Sequence, residues 1–232
     1  DLVEAGYATF AIQSLEARGQ RNAGANQFRS SFQSQGVDAL YALTYLRSLP
    51  IIDPSKVCVA GKSRGSLAAF NFAYFESFIK MSGYSGEPFS CNVGIMTSMN
   101  YSPKDETTTG KPALVFVGDV DDVWFPEITI EWIEKLKKDG NPISLHILND
   151  TYHGLGTQAK YCPDQQTAKG CREPTKYDAK GIYAKGKLVP RSEAFKQCGA
   201  TGYHCSSDNM NMYPEMRQVL IEFLDRNILG AK

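Results

Sequence analysis

Short apolar runs recur along this chain, each closed by a loop and followed by a helical pattern. The runs are Val57–Ala60, Cys91–Thr97, Ala113–Val117 and Ile143–Leu148, with Tyr7–Ile12 as an earlier candidate. In Val57–Ala60, Cys91–Thr97 and Ala113–Val117, near-continuous apolarity over so few residues marks strands buried on both faces, and the other two runs are strand candidates. Between the runs, Val37, Leu40, Tyr41, Leu43, Tyr45 and Leu46 fall at helical spacing over Gly36–Leu49, which Pro50 ends. Gly65 to Phe78 reads as a buried helix, and Pro126–Lys138 as another, with proline in its first turn and Gly140 just past its end. Tyr213–Leu229 is a final amphipathic helix. Strands alternating with helices predict an α/β fold, a mostly parallel central sheet flanked by helices. In such sheets the chemistry gathers at the carboxyl ends of strands.

The length of 232 residues fits one domain of this class. Lys plus Arg number 25 and so do Asp plus Glu, leaving a net charge of zero. That balance gives no footprint for nucleic acid or for an anionic membrane surface. No apolar run approaches the roughly 20 residues that a membrane-spanning helix needs. Residues 154–210 lack periodicity and are rich in Gly, Lys, Thr, Tyr and Cys, so they read as a loop-rich insertion or lid subdomain. The core is then expected at 1–153 and 211–232.

Three post-strand loops carry the chemistry. Gly61-Lys62-Ser63-Arg64-Gly65 follows Val57–Ala60 and opens a helix. This is the G-x-S-x-G pattern, in which a sharp strand-to-helix turn lifts the serine hydroxyl above the sheet. The same turn aims the helix N-terminus and the Arg64 N–H at a developing oxyanion. Gly118-Asp119-Val120-Asp121-Asp122 follows Ala113–Val117, and Asp121 is taken as the carboxylate that orients a histidine, with Asp119 and Asp122 as competitors. Tyr152-His153-Gly154 follows Ile143–Leu148, where His153 suits a general base. Of the other two histidines, His146 reads as a packed or solvated strand residue and His204 as a surface residue. The order Ser63, Asp121, His153 is that of α/β-hydrolases. The implied reaction is acyl transfer through an acyl-enzyme, with neither metal nor organic cofactor.

With these residues in view, the chain resembles the dienelactone hydrolase family of α/β-hydrolases. The resemblance rests on GYATFAIQSLEARG at 6–19, DALYALTYLRSLPIIDPSKVCVAGKSRG at 38–65, KPALVFVGDVDDVWFP at 111–126 and YHG at 152–154. It implies an α/β-hydrolase fold and cleavage of a small carboxylic ester. Four departures stand beside it. The family's naming enzyme has cysteine where this chain has Ser63, and Gln13 precedes Ser14 where the family often has Asp. The stretch between His153 and the last helix is longer than usual. Asp1–Ala5 reads as the tail of a helix, so the chain is expected to be a fragment lacking the first strands. With them goes the loop that supplies the second oxyanion donor in such enzymes. The alternatives are a peptidase or acyl-peptide hydrolase on the same fold, and a non-catalytic binding protein of that fold.

Six cysteines bear on compartment. Cys162, Cys171, Cys198 and Cys205 crowd into the insertion, and a local pairing, Cys162 with Cys171 and Cys198 with Cys205, is expected. Their gaps are too wide for a zinc knuckle. Cys58 and Cys91 are expected to be buried and unpaired. Disulfides imply export to the extracellular space or periplasm, and free cysteines a cytoplasmic protein. Tyr152, Tyr161, Tyr177, Tyr183 and Tyr203 either line a substrate path or pack the insertion.

Overall fold

In the computed structural model, residues 2–20, 32–167, 173–190, 193 and 200–230 are described. The first half contains α1 (Phe32–Arg47), β1 (Cys58–Lys62), α2 (Arg64–Ser66) running into a π-helix (Leu67–Phe72), α3 (Glu76–Met81), β2 (Cys91–Ile95) and β3 (Tyr101–Pro103). There follow β4 (Ala113–Gly118), α4 (Pro126–Lys138), β5 (Ile143–Leu148), β6 (Thr157–Thr167), β7 (Thr175–Asp178), β8 (Gly181–Ala184), β9 (Lys187–Val189), β10 (Ala200–Asp208) and α5 (Met212–Leu224).

The central sheet has the order β1-β2-β4-β5, and every pairing is parallel. All six residues of β4 are buried, as its continuous apolar run requires. Its side chains alternate between faces. Val115 and Val117 pack with Phe70 and with Ile133 and Leu136 of α4. Leu114 and Phe116 pack instead with Met212, Met216 and Phe223 of α5. Helices therefore cover both faces, and the three loops beyond β1, β4 and β5 open at one end of the sheet.

Several expectations are corrected. Residues 2–6 form turns rather than a helix tail, with Gly6 at φ +89°. Tyr7–Ile12 belongs to no strand, and a groove lined by Phe10–Leu15 and by Cys58–Ala60 lies between Phe10–Ile12 and β1. Helix α1 starts at Phe32, before Gly36. The helix read over Gly65–Phe78 is broken: Phe75 is extended (φ −105°, ψ 129°) and α3 restarts after it. Phe70, Phe72, Tyr74 and Phe75 are all fully buried. A regular 3.6-residue helix cannot turn so dense a run of aromatics inward, and the widened π-turn followed by a break does so.

The described residues of the insertion include five strands. β6 and β10 form an antiparallel pair with irregular register, and β7, β8 and β9 form successive antiparallel hairpins. β3, missed in the sequence, pairs in parallel with β7 and joins this sheet to the core. Tyr177 of β7 is buried against Phe72, Phe78 and Tyr101 and donates its hydroxyl to the Asn71 carbonyl at 2.6 Å. It is a core residue, not a substrate-path residue.

The cysteine pairing also differs from expectation. Cys58 and Cys91 stand directly opposite each other on adjacent parallel strands and form a disulfide. Cys162 pairs with Cys205, because the antiparallel β6–β10 ladder brings these two together across 43 residues of sequence. The local pairings Cys162–Cys171 and Cys198–Cys205 are thereby overturned. Cys171 and Cys198 lie outside the described residues. Among the described residues no helix is long and apolar enough to cross a membrane.

Glu106 ties α4 to the insertion. It accepts hydrogen bonds from Trp132 Nε1 at 3.0 Å, Lys135 at 3.1 Å and Lys176 at 2.7 Å. Burial alone would raise its pKa; the bonds from Lys176, Trp132 and Lys135 outweigh that and hold it at about 2, below the ordinary 4.5. A carboxylate with a depressed folded pKa stabilises the fold above its unfolded pKa and loses that contribution as pH falls through the folded one. Glu106→Gln should therefore lower the thermal midpoint at neutral pH, with the gap to the wild type shrinking below about pH 4.5 toward pH 2. An equal gap at about pH 3 and pH 7 would contradict this.

Candidate active site

Ser63 sits in the turn between β1 and α2. Its backbone is at φ 52°, ψ −116°, a conformation that residues other than glycine rarely adopt. The turn is held by the Ser63 N–H, which donates to the Ile95 carbonyl at 2.8 Å, and by the Ser63 carbonyl, which accepts from Ser66 and Leu67 N–H at 2.9 and 3.2 Å. Gly61 is required by close approach, since a Cβ there would lie 2.0 Å from the Gly65 carbonyl oxygen. Gly65 itself has open space where a Cβ would go, so crowding does not explain both glycines.

The Ser63 hydroxyl lies 2.6 Å from His153 Nε2. On the other side of the ring, His153 Nδ1 lies 2.8 Å from Asp121 Oδ2. His153 and Asp121 are 5% and 8% exposed, so water competes little for this pair. The second Asp121 oxygen accepts the N–H groups of Val123 at 2.8 Å and Trp124 at 3.1 Å, which fixes the carboxylate. Trp124 and Tyr203 stand edge-on to the His153 ring, 6.0 and 6.1 Å between centroids. Burial raises the Tyr203 pKa, and the Asp122 and Asp121 charges add to the shift.

The competing acids have other partners. Asp119 accepts the Thr151 N–H at 3.2 Å, and Asp122 is bonded to His204. His204 is partly exposed, and its ring stacks on Tyr152. His146 reaches Glu215 of α5 at 2.7 Å, away from Ser63. Arg64 opens α2 directly after Ser63. Its guanidinium donates to Gln35 at 3.1 Å and lies over the Phe32 ring. Lys62 stands at the rim, exposed overall. Crowding around its ammonium lowers its pKa, and the Asp121 carboxylate opposes that shift. No cluster of potential metal ligands occurs among the described residues.

A buried histidine hydrogen-bonded to a hydroxyl on one nitrogen and a carboxylate on the other is able to take the hydroxyl proton as the oxygen attacks. The contact between Asp122 and His204 was not visible in the sequence because it joins positions 82 residues apart.

Residues 71–168 match the prolyl oligopeptidase family (peptidase family S9), less than half of the chain. With the parallel sheet and the turn at Ser63, this identifies an α/β-hydrolase fold. No curated protein matches the chain. Among solved structures, a propionate-bound thermophilic esterase from the planctomycete Thermogutta terrifontis is similar at 17% identity and a TM-score of 0.44, over 56% of this chain and 59% of that one. An α/β hydrolase enzyme from a Medee basin deep-sea metagenome is similar at 16% identity and a TM-score of 0.46, over 85% and 68%. A carboxylesterase from Lactobacillus plantarum is similar at 13% identity and a TM-score of 0.44, over 85% and 69%. The chain spans 59% of the length of the first of these.

Proposed function

We propose that this chain is a serine hydrolase that cleaves a small carboxylic ester through an acyl-enzyme. The observation that carries the reading is the run of contacts Ser63 Oγ, His153 Nε2, His153 Nδ1, Asp121 Oδ2, at 2.6 and 2.8 Å. Ser63 Oγ attacks the ester carbonyl carbon while its proton passes to His153 Nε2. Asp121 accepts the Nδ1–H and stabilises the imidazolium. The oxyanion receives the Arg64 N–H at the start of the helix. His153 then returns the proton to the leaving alcohol, and a water activated by the same nitrogen hydrolyses the acyl-enzyme. The dienelactone hydrolase resemblance at 38–65 and 111–126 favours an ester of a small acid, with Lys62 at the rim able to attract an anionic group.

One observation favours a second reading. The family matched at 71–168 is one of peptidases, and the same three residues serve amide cleavage as well as ester cleavage. Turnover of p-nitrophenyl acetate and butyrate against a panel of peptidyl p-nitroanilides separates the two. Ester hydrolysis without anilide hydrolysis is expected. Rapid cleavage of an anilide at comparable kcat/KM would move the assignment to a peptidase.

The two disulfides fit a protein that works outside the reducing cytosol, in the extracellular space or periplasm. Thiol titration of the denatured native protein without reductant should leave Cys58, Cys91, Cys162 and Cys205 unreactive. Reaction of all four would remove the basis for export.

A further inference from the structure

One residue of β10 touches both loops that hold the candidate triad. His204 Nδ1 lies 2.9 Å from Asp122 Oδ2, and the His204 backbone N–H donates to the same carboxylate at 3.0 and 3.1 Å. Asp122 directly follows Asp121. On its other side, the His204 carbonyl accepts the Gly154 N–H at 3.2 Å, and its ring stacks on Tyr152 with centroids 3.9 Å apart and planes 20° apart. Tyr152 and Gly154 are the two neighbours of His153. His204 is therefore hydrogen-bonded to the neighbour of the acid and to one neighbour of the base, and stacked on the other.

The surroundings leave this arrangement little freedom. A Cβ at Gly154 would lie 2.0 Å from the Cys205 carbonyl carbon, so β10 runs against the histidine loop with its backbone. Two residues further on, the Ser207 hydroxyl reaches the Gly154 and Tyr152 carbonyls at 2.6 and 3.2 Å. The Cys162–Cys205 disulfide, next to His204, ties this segment to β6.

We infer that His204 is a positioning residue for the reaction. Its bond to Asp122 and its contacts to Tyr152 and Gly154 hold the acid loop and the histidine loop in register, so that His153 meets Asp121 and Ser63 at once. The inference rests on reading Ser63, His153 and Asp121 as the catalytic triad. Positional errors of about 1 Å are enough to cost about 10²-fold in rate, so a residue that sets the spacing of two loops acts on kcat without touching substrate.

The test uses the intact chain and p-nitrophenyl acetate. His204→Ala should lower kcat by about 10- to 100-fold with KM nearly unchanged. His204→Asn, whose side-chain N–H stands near the place of Nδ1, should recover most of the loss. Asp122→Ala should lose a similar amount, and the double variant clearly less than the product of the two losses, because both variants remove the bond between the His204 ring and Asp122. Should His204→Ala fail to fold, His204→Leu keeps the bulk and removes the N–H. Wild-type kcat in the alanine or leucine variant, no recovery in His204→Asn, or additive losses in the double variant would overturn the positioning role alone. A wild-type chain that neither turns over ester nor reacts with a fluorophosphonate would overturn the triad reading and the positioning role with it.

Discussion

Ester turnover is expected to fall by about 10⁴- to 10⁶-fold when Ser63 is replaced by alanine, the range over which loss of an activated serine nucleophile is felt. The size of the effect follows from the geometry. The hydroxyl connects the turn to His153, at 2.6 Å. Alanine keeps the Cβ and the backbone at φ 52°, so the turn and its bonds to Ile95, Ser66 and Leu67 persist while the nucleophile is gone. The loss should appear in kcat, with an unchanged far-UV circular dichroism spectrum and thermal midpoint. Substantial residual turnover in Ser63→Ala would mean that another group attacks the substrate.

The second large effect is expected at Asp121. Asp121→Asn keeps the shape of the side chain and leaves an oxygen for the Val123 and Trp124 N–H groups. It presents an amide to His153 Nδ1 in place of a carboxylate, which favours the wrong imidazole tautomer and removes the charge that stabilises the imidazolium. A loss of about 10⁴-fold in kcat is expected on that account. Asp119→Asn and Asp122→Asn should cost far less, since their carboxylates meet Thr151 and His204 rather than His153. A larger loss at Asp122 than at Asp121 in steady-state kinetics would reverse the assignment.

The elements that the sequence revealed are those with local signals. Helix α4 is bounded by Pro126 at its start and Gly140 past its end, and its observed limits match the pattern. The buried strand β4 stands out as a continuous apolar run, and β5, which exposes Ser144 and Ile147, as a largely alternating one. The turn at Ser63 and the loops of Asp121 and His153 were legible because a parallel sheet leaves such residues at strand ends.

The rest depends on contacts that no local pattern encodes. The Cys58–Cys91 disulfide follows from β1 lying beside β2 in one register, which is a tertiary fact. Tyr7–Ile12 has strand composition, yet strand formation needs a partner edge and a groove lies on that side. The β6–β10 pair has three register irregularities, which erase any period-2 signal. One hairpin did carry a signal. Lys185 and Gly186, between β8 and β9, have φ 49° and 74°, the two left-handed positions of a tight hairpin turn, and a Lys-Gly pair between short apolar stretches marks it weakly. The contacts of His204 emerge only once β10 is seen against the loops that carry Asp121 and His153.

The proposed hydrolysis requires Ser63 to be an activated nucleophile. The most direct measurement is reaction of the protein with a fluorophosphonate probe, followed by peptide mass mapping of the adduct. A single adduct on the peptide carrying Ser63, absent in Ser63→Ala and much slower to form in His153→Ala, is the predicted result. No adduct on the wild-type protein, or an adduct on a different serine that survives Ser63→Ala, would contradict it.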